Sequence, residues 1–126
     1  MKEESAQHDQ LKKLKNNNTL TICSSKKPAY YQRLIRLHLL NETDKDTIVL
    51  QALGQGCQNL VFVAALVTLK GYATYKRIKN DHISVPVIDS ATGEHLKFMK
   101  KVRLTVKLRR AENFAEIVQR EVLAQQ

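Results

Sequence analysis

The sequence predicts a small α/β domain in the order βαβαββ, in which two helices alternate with strands and two long strands follow. A β-branched segment, residues 19–23, precedes a proline suited to the start of a helix. A short apolar run, residues 47–50, precedes a glycine-containing turn and a second apolar helix. Two long segments with strand patterning then flank a turn at residues 89–93. With 126 residues, the chain is long enough to bury one core without metals or disulfides.

The first strand and helix come from residues 19–41. Pro28 suits the first turn of a helix, because its missing N–H would have no partner there. The helix is expected from about residue 29 to residue 41. One stripe at i, i+3, i+4 and i+7 spacing is predicted to face the core: Tyr31, Leu34, Ile35 and His38.

The second strand and helix are more apolar than the first. The continuous run at residues 47–50 predicts a strand that is covered on both faces. A helix is expected from about residue 55 to residue 70, with Gly71 at its C-terminal cap. This helix has little polar face, so it must be buried on more than one side, and a subunit interface is favoured over a deeper core. The candidate interface residues are Leu60, Phe62, Val63 and Leu66.

Two long strands and a final helix complete the chain. Strands are expected at residues 72–88 and 95–109. Pro86 cannot donate a ladder hydrogen bond, so the first of them is expected to be an edge strand or to project beyond the sheet there. A last helix over residues 111–124 is expected to pack loosely or to be dispensable. The predicted domains are a disordered basic leader (1–18), a folded domain (19–110) and a helical tail (111–126). The second long strand alternates an apolar face (Val102, Leu104, Val106, Leu108) with a basic one (Lys101, Arg103, Thr105, Lys107, Arg109).

Positive charge is concentrated on these two strands. Residues 70–110 hold eleven lysines and arginines against three acidic residues, which accounts for +8 of the net charge of +9. A concentrated cationic β-hairpin is typical of proteins that bind polyanions, most often nucleic acids. No membrane binding is expected, because the longest apolar run is half of a membrane span and no basic amphipathic helix occurs. No secretory signal is evident, so the predicted location is nuclear or cytoplasmic.

Catalytic signals are poor. The four histidines are scattered, and no His, Cys or carboxylate group has metal-ligand spacing, so we expect no metal, no cofactor, no small-molecule substrate and no catalytic residue. Cys23 and Cys57 lie in apolar sequence and are expected to be buried thiols in a reducing compartment. Gly54 and Gly56 match only the start of a dinucleotide fingerprint, with Asn59 where its third glycine would fall, so a tight turn is the better interpretation.

Binding signals are stronger. Lys26 and Lys27 lie at a predicted helix N-terminus, where free N–H groups and the helix dipole favour an anion. Tyr30 and Tyr31 are candidates for stacking on bases, although one of the two is expected in the core. On the hairpin, three cations of the first strand are expected beside three of the second: Lys76, Arg77 and Lys79 beside Lys100, Lys101 and Arg103. The candidate nucleic-acid contacts are Lys26, Lys27, Arg33, Lys76, Arg77, Lys79, Lys97, Lys100, Lys101 and Arg103.

Three segments of the chain form a recognisable series: the strand before Ser-Lys-Lys-Pro at residues 25–28, the Val-Leu-Gln-Ala-Leu-Gly of residues 49–54 before an apolar helix ending at Gly71, and the basic hairpin closing at residues 102–108. Together they resemble the Alba family of small basic chromatin and RNA-binding proteins, and especially its eukaryotic members. The resemblance covers residues 19–110. Many archaeal members have arginine where this chain has Leu53, so one family phosphate contact is absent.

The resemblance implies the fold of a bacterial initiation-factor C-terminal domain: a mixed four-stranded sheet, two helices on one face and a protruding hairpin. It implies a dimer, homo- or hetero-, that binds RNA, double-stranded DNA or both, with an acetylatable lysine at position 26 or 27. A sequence-tolerant nucleic-acid-binding dimer is the leading interpretation. The alternatives are a heterodimeric subunit of an RNase P- or MRP-type ribonucleoprotein and a protein-interaction module that docks through the second helix.

Overall fold

The computed structural model describes residues 18–41, 46–88 and 91–125, with only the backbone described at residues 95 and 96. The predicted βαβαββ order and the final helix are confirmed. The predicted leader lies outside the described residues, apart from Asn18. The elements are β1 (Thr19–Thr21), α1 (Pro28–Asn41), β2 (Thr47–Leu53), α2 (Gly56–Leu69), β3 (Ala73–Ile88), β4 (His95–Arg110) and α3 (Phe114–Ala124).

The four strands form one mixed sheet in the order β1-β2-β4-β3. β1 and β2 are parallel neighbours, which requires a crossover, and α1 supplies it. β4 pairs antiparallel with both β2 and β3. β3 is therefore an edge strand, as Pro86 predicted.

The core lies between α1, α2 and one face of the sheet. The buried stripe predicted for α1 is confirmed, and its His38 Nε2 lies 3.1 Å from Asn18 Oδ1 at the start of β1. On β2, Ile48 and Leu50 are fully buried, whereas Val49 between them is only half-buried. The prediction that β2 is covered on both faces is therefore wrong, because both α1 and α2 pack on the same side. The apolar run at residues 47–50 was too short to show that the side chains of β2 alternate between the core and the other face of the sheet.

Helix α2 turns only part of its apolar surface toward the sheet. Leu60 and Val63 have no exposed surface, so the prediction that they form a subunit interface is wrong: they belong to the core of the chain itself. Phe62 is 56% exposed, and Leu66 is half-buried. Within the described residues, no helix combines the length and the apolarity that crossing a membrane requires.

Helix α3 is attached to the body at several points. Phe114 lies in the core and packs edge-to-face on Tyr72, with 5.6 Å between ring centroids. The Tyr72 hydroxyl donates to Glu121 at 2.6 Å, and Arg36 Nε donates to the same carboxylate at 3.3 Å. Loose packing was expected for this helix, and these contacts differ from that expectation. That the domain folds without α3 stays a prediction.

Half of the long hairpin extends past the sheet. β2 pairs with residues 103–109 of β4, so residues 82–88 and 95–102 form strand ladders only with each other. We call these two segments the arm. The apolar face predicted for β4 follows this division, because Leu108 is buried in the sheet whereas Val102 is 40% exposed on the arm.

Candidate nucleic-acid interface

A cleft of about 750 Å³ opens where the arm leaves the sheet. Its walls are the turn after β1 (residues 21–24), the turn between β2 and α2 (residues 53–56) and residues 99–102 of β4. The Gly54 N–H donates to the Val102 carbonyl at 2.9 Å, which ties the second wall to the third. The cleft thus places the β1–α1 turn opposite the base of the arm, including Lys100 and Lys101.

The shape of the β1–α1 turn depends on the start of α2. The Asn59 side-chain amide donates to two carbonyls of the turn, that of Cys23 at 2.8 Å and that of Lys26 at 2.7 Å. A Cβ at Gly56 would lie 2.6 Å from the Ile22 carbonyl oxygen, so only glycine allows this close approach. Asn59 was not predicted as a site residue, since nothing in the local sequence pairs it with carbonyls 33 and 36 positions away.

Lys26 and Lys27 are exposed on this turn, at the start of α1. The Tyr30 N–H donates to the Lys27 carbonyl at 3.0 Å, which closes the turn. Lys26 Nζ lies 5.4 Å from the centroid of the Tyr30 ring, in cation–π range. Tyr31 is fully buried, so it is the core member of the tyrosine pair and cannot stack on a base.

Cys23 lines the cleft and is exposed, so the prediction of two buried thiols is wrong at this position. Its Sγ lies 2.9 Å from Ser25 Oγ and 3.1 Å from the Tyr31 hydroxyl. These two hydrogen bonds stabilise the thiolate and lower the pKa of Cys23 to about 7. Burial, followed by the bond to Cys23, raises the pKa of Tyr31 to about 12. Cys57 is half-buried, with its Sγ 3.5 Å from the Ala52 carbonyl.

The cations of the hairpin fall into two separate groups. The cations of β3 were expected beside those of β4, and this expectation is wrong because the strands pair in a different register. The two sets are Lys76, Arg77 and Lys79 on β3 and Lys100, Lys101 and Arg103 on β4. On β3, Arg77 is opposite Lys107, while Lys100 and Lys101 are opposite uncharged residues of the arm. A register shift between Tyr75 and Arg77 leaves Lys76 as an extra residue, a bulge that could not be read from the alternation.

One group lies on the face of the sheet that carries no helix. There Arg77, Lys79 and Lys107 surround Val49 and Thr105, lining a shallow cavity of about 170 Å³. Lys107 was not among the candidate contacts, although the alternation of β4 already placed it on the basic face of that strand.

Arg103 differs from the other candidate cations because it is paired. Its Nε donates to Asp81 Oδ1 at 2.9 Å, and its Nη2 donates to the other carboxylate oxygen. This bidentate bond lowers the pKa of Asp81. The pair lies on the last rung shared with β2, at the base of the arm. Arg103 is therefore engaged within the chain, unlike the lysines of the arm.

The remaining candidates are exposed but lie apart from the cleft. Arg33 is on the outer side of α1, Lys76 is at the bulge of β3, and Lys97 is at the far end of the arm, opposite Val87. Among the residues that the structure describes, no group of three His, Cys, Asp or Glu side chains is arranged to hold a metal ion.

Solved structures of other proteins share this architecture. No protein-family model and no curated protein matches the sequence. Among solved structures, the crystal structure of ALBA1 from Trypanosoma brucei superposes with a TM-score of 0.66, at 12% identity, over 86% of this chain and 82% of that one. The chain has the Alba fold. Alba from Thermoplasma volcanium superposes with a TM-score of 0.60 at 17% identity.

The archaeal match also shows how much of the chain forms the Alba fold. It covers 99% of the Thermoplasma protein but 73% of this chain, so this chain contains a nearly complete Alba fold and additional residues. The resemblance inferred from residues 19–110 is thus confirmed at the level of the fold. The mixed four-stranded sheet with α1 and α2 on one face is confirmed with it.

Proposed function

We propose that this chain is an Alba-like nucleic-acid-binding protein that works as a dimer, tolerates many sequences and has no catalytic activity. The observation that supports this most is the cleft on an Alba fold. One wall carries Lys100 and Lys101, and the opposite wall is residues 21–24, the first part of the turn that continues to the exposed Lys26 and Lys27. A phosphate backbone lying in the cleft contacts Lys100 and Lys101, and it leaves the cleft past Lys26 and Lys27 on the same turn as the opposite wall. It then continues along the arm to Lys97.

The contacts are mainly electrostatic and therefore independent of sequence. Lysines on flexible stems contact phosphates as point charges, which fixes the position of the nucleic acid without reading its bases. Arg77, Lys79 and Lys107 extend the positive surface on the helix-free face of the sheet. Arg103 contributes less than its charge suggests, because Asp81 already neutralises it.

Salt dependence is the first test. With six to ten phosphate contacts, affinity for RNA or DNA is expected to fall about 10³- to 10⁵-fold between 50 and 200 mM salt. Fluorescence anisotropy with labelled single-stranded and duplex oligonucleotides measures this directly. A salt-independent affinity would contradict the proposal.

Charge reversal tests the Lys26–Lys27 turn beside the cleft. Lys26→Glu with Lys27→Glu is expected to weaken binding to all sequences alike, because these lysines contact phosphates. The matched control is Lys70→Glu with Arg120→Glu, which changes the net charge equally at exposed positions on other elements, away from the β1–α1 turn. Equal losses in the two double variants would show that only net charge matters. A loss confined to one sequence would indicate base recognition.

An exposed apolar stripe on α2 favours dimerisation. It consists of Val61 (57% exposed), Phe62 (56%), the half-buried Ala65 and Leu69 (84%). Apolar side chains in a row on a helix face indicate a protein interface rather than random surface exposure. Of the residues predicted for this interface, Phe62 and Leu66 remain available to it.

The same stripe supports the alternative that the chain pairs with a different Alba-like protein, as a subunit of an RNase P- or MRP-type ribonucleoprotein. Purification under native conditions separates the two functions. A homodimer that carries mixed RNAs supports the leading proposal, and a stable hetero-pair bound to one structured RNA supports the alternative. Protein docking without nucleic-acid affinity would instead favour an interaction module.

A further inference from the structure

One aromatic ring on the arm faces solvent among lysines. Phe98 is 71% exposed, on β4 opposite Pro86. We propose that Phe98 is a nucleobase-stacking residue, which holds one unpaired base while the neighbouring lysines hold the flanking phosphates. This inference rests on the proposed nucleic-acid-binding function and adds a base contact to it.

The other aromatic side chains are unsuited to this role. Tyr31, Tyr72 and Phe114 are buried in the core. The ring of Tyr30 is half-buried, with Lys26 over it and Tyr31 at 5.3 Å. Two more are exposed, Phe62 on the apolar stripe of α2 and Tyr75 beside the core of the sheet, opposite the buried Leu108. Phe98 alone among the seven aromatic residues lies on the arm.

The charge around Phe98 suits a nucleic acid. Lys97 precedes it on the opposite face of the strand, and Lys100 follows on the same face, about 7 Å along the strand. Both lysines are exposed, and so is Lys101. The described residues of the arm, 82–88 and 95–102, include no aspartate or glutamate. A base stacked on the ring therefore has cations on either side for its own phosphates.

Folding alone does not account for an aromatic residue here. Within the part of the chain that the structure describes, the arm has two strands and no layer behind it, so the pairing with Pro86 leaves most of the Phe98 ring in water. A large apolar side chain on an exposed ribbon adds a risk of aggregation, which edge strands usually avoid with charges. Stacking on a base buries this ring and removes that risk in the complex.

An unpaired base is the expected occupant. Single-stranded nucleic acids bind to basic surfaces by stacking successive bases on aromatic rings, and every base has a face that can stack. In a duplex the bases are already stacked, and inserting a side chain between them costs several kcal/mol per step. In duplex RNA the deep, narrow major groove also keeps side chains from the bases.

Substitutions at Phe98 test the proposal on the full chain. Phe98→Leu keeps an apolar contact with Pro86 but removes the aromatic face. It is expected to weaken binding to a single-stranded oligonucleotide about 5- to 100-fold. The dependence of affinity on salt should not change, because no charge is lost. Phe98→Tyr should bind like the original chain, and Ile88→Ala, which trims another exposed apolar side chain of the arm, should bind normally.

Fluorescence gives an independent readout, because the chain has no tryptophan. In Phe98→Trp, stacking is expected to quench the single indole when a single-stranded oligonucleotide binds. The control is Gln119→Trp, at an exposed position on α3, which should not be quenched. Circular dichroism and urea unfolding of each variant check that the fold is intact.

Specific outcomes would overturn the proposal. Two concern affinity: Phe98→Leu binds single strands as tightly as the original chain, or it loses equal affinity for single strands and duplexes. A third is that the fluorescence of Phe98→Trp is not quenched in the complex. A fourth is a changed oligomeric state of Phe98→Leu, which would assign the ring to self-association. If the proposed function itself fails, the original chain binds no nucleic acid. If only this inference fails, binding remains and depends on salt.

Discussion

At the residue scale, distant side chains determine the β1–α1 turn. Asn59 donates to two of its carbonyls from α2, and the Tyr31 hydroxyl accepts the Cys23 N–H at 3.1 Å from α1. The turn is thereby attached to both helices. This explains how a short polar turn holds Lys26 and Lys27 in one place at the edge of the cleft.

The environment of Cys23 predicts an unusually acidic thiol. Hydrogen bonds from Ser25 and Tyr31 stabilise the thiolate, so the pKa falls from 9.0 to about 7 and half of the thiol is ionised near pH 7. The rate of alkylation by iodoacetamide should rise with pH to a midpoint near 7 and level off above it. The measurement uses Cys57→Ser, in which Cys23 is the one remaining cysteine.

Ser25→Ala in that background provides the control for this titration. It removes the hydrogen bond that lowers the pKa most, so the midpoint should move upward, toward the ordinary value of 9.0. A midpoint near 9 before that substitution would show that the thiolate receives no such stabilisation.

At the element scale, the hairpin is one pair of strands with two different environments. Near the sheet, its residues pack on the core, and in the arm they face solvent on both sides. The Arg103–Asp81 pair lies at the junction, where β2 ends its pairing with β4. We expect this pair to lower the effective positive charge at the base of the arm.

Removing the acidic partner should therefore strengthen nucleic-acid binding. In Asp81→Asn, Arg103 becomes free to contact a phosphate, so affinity should rise, and the slope of log K against log salt should steepen by about 0.7–0.9. The comparison pair is Arg103→Gln and Lys101→Gln, of which Lys101→Gln should cause the larger loss of affinity. Weaker binding by Asp81→Asn would instead show that the pair is needed to hold the arm in place.

At the scale of the whole molecule, the α2 stripe and the cleft suggest an assembly with two arms. A second copy on the stripe would bury Val61, Phe62 and Leu69, which the isolated chain leaves exposed. Two linked interfaces on one nucleic acid bind more tightly than one, because the second contact becomes intramolecular. Dimerisation and affinity are therefore expected to be coupled.

Phe62→Lys should produce a monomer with weaker binding, because it places a charge in the apolar stripe. Light scattering after size-exclusion chromatography measures the mass, and anisotropy measures the affinity. Gln119→Lys adds the same charge at an exposed position of α3 and should leave both unchanged. A dimeric Phe62→Lys would argue against the α2 stripe as the interface.

Local patterns were enough to predict the elements and the hairpin that carries most of the positive charge. The α1 stripe, the edge position of β3 and the turn at Gly54 depend on side-chain period, on proline and on glycine, which are properties of neighbouring residues. Positive charge on the hairpin is a matter of composition, so it too could be recognised. The side of α2 that faces the core could not be predicted in this way. Apolar residues surround this helix, so their spacing does not distinguish a core side from an exposed side.

The sequence by itself determined the order of the elements, the buried stripe of α1 and a cationic hairpin, because these follow from short-range spacing and composition. Only the tertiary structure decided which cations are available. The bulge at Lys76 sets the register that separates the two basic groups, and Asp81 pairs with Arg103 across the strands. The packing of α2 on the sheet also decided that Leu60 and Val63 lie in the core. Each of these depends on contacts between residues distant in the chain, which no local pattern records.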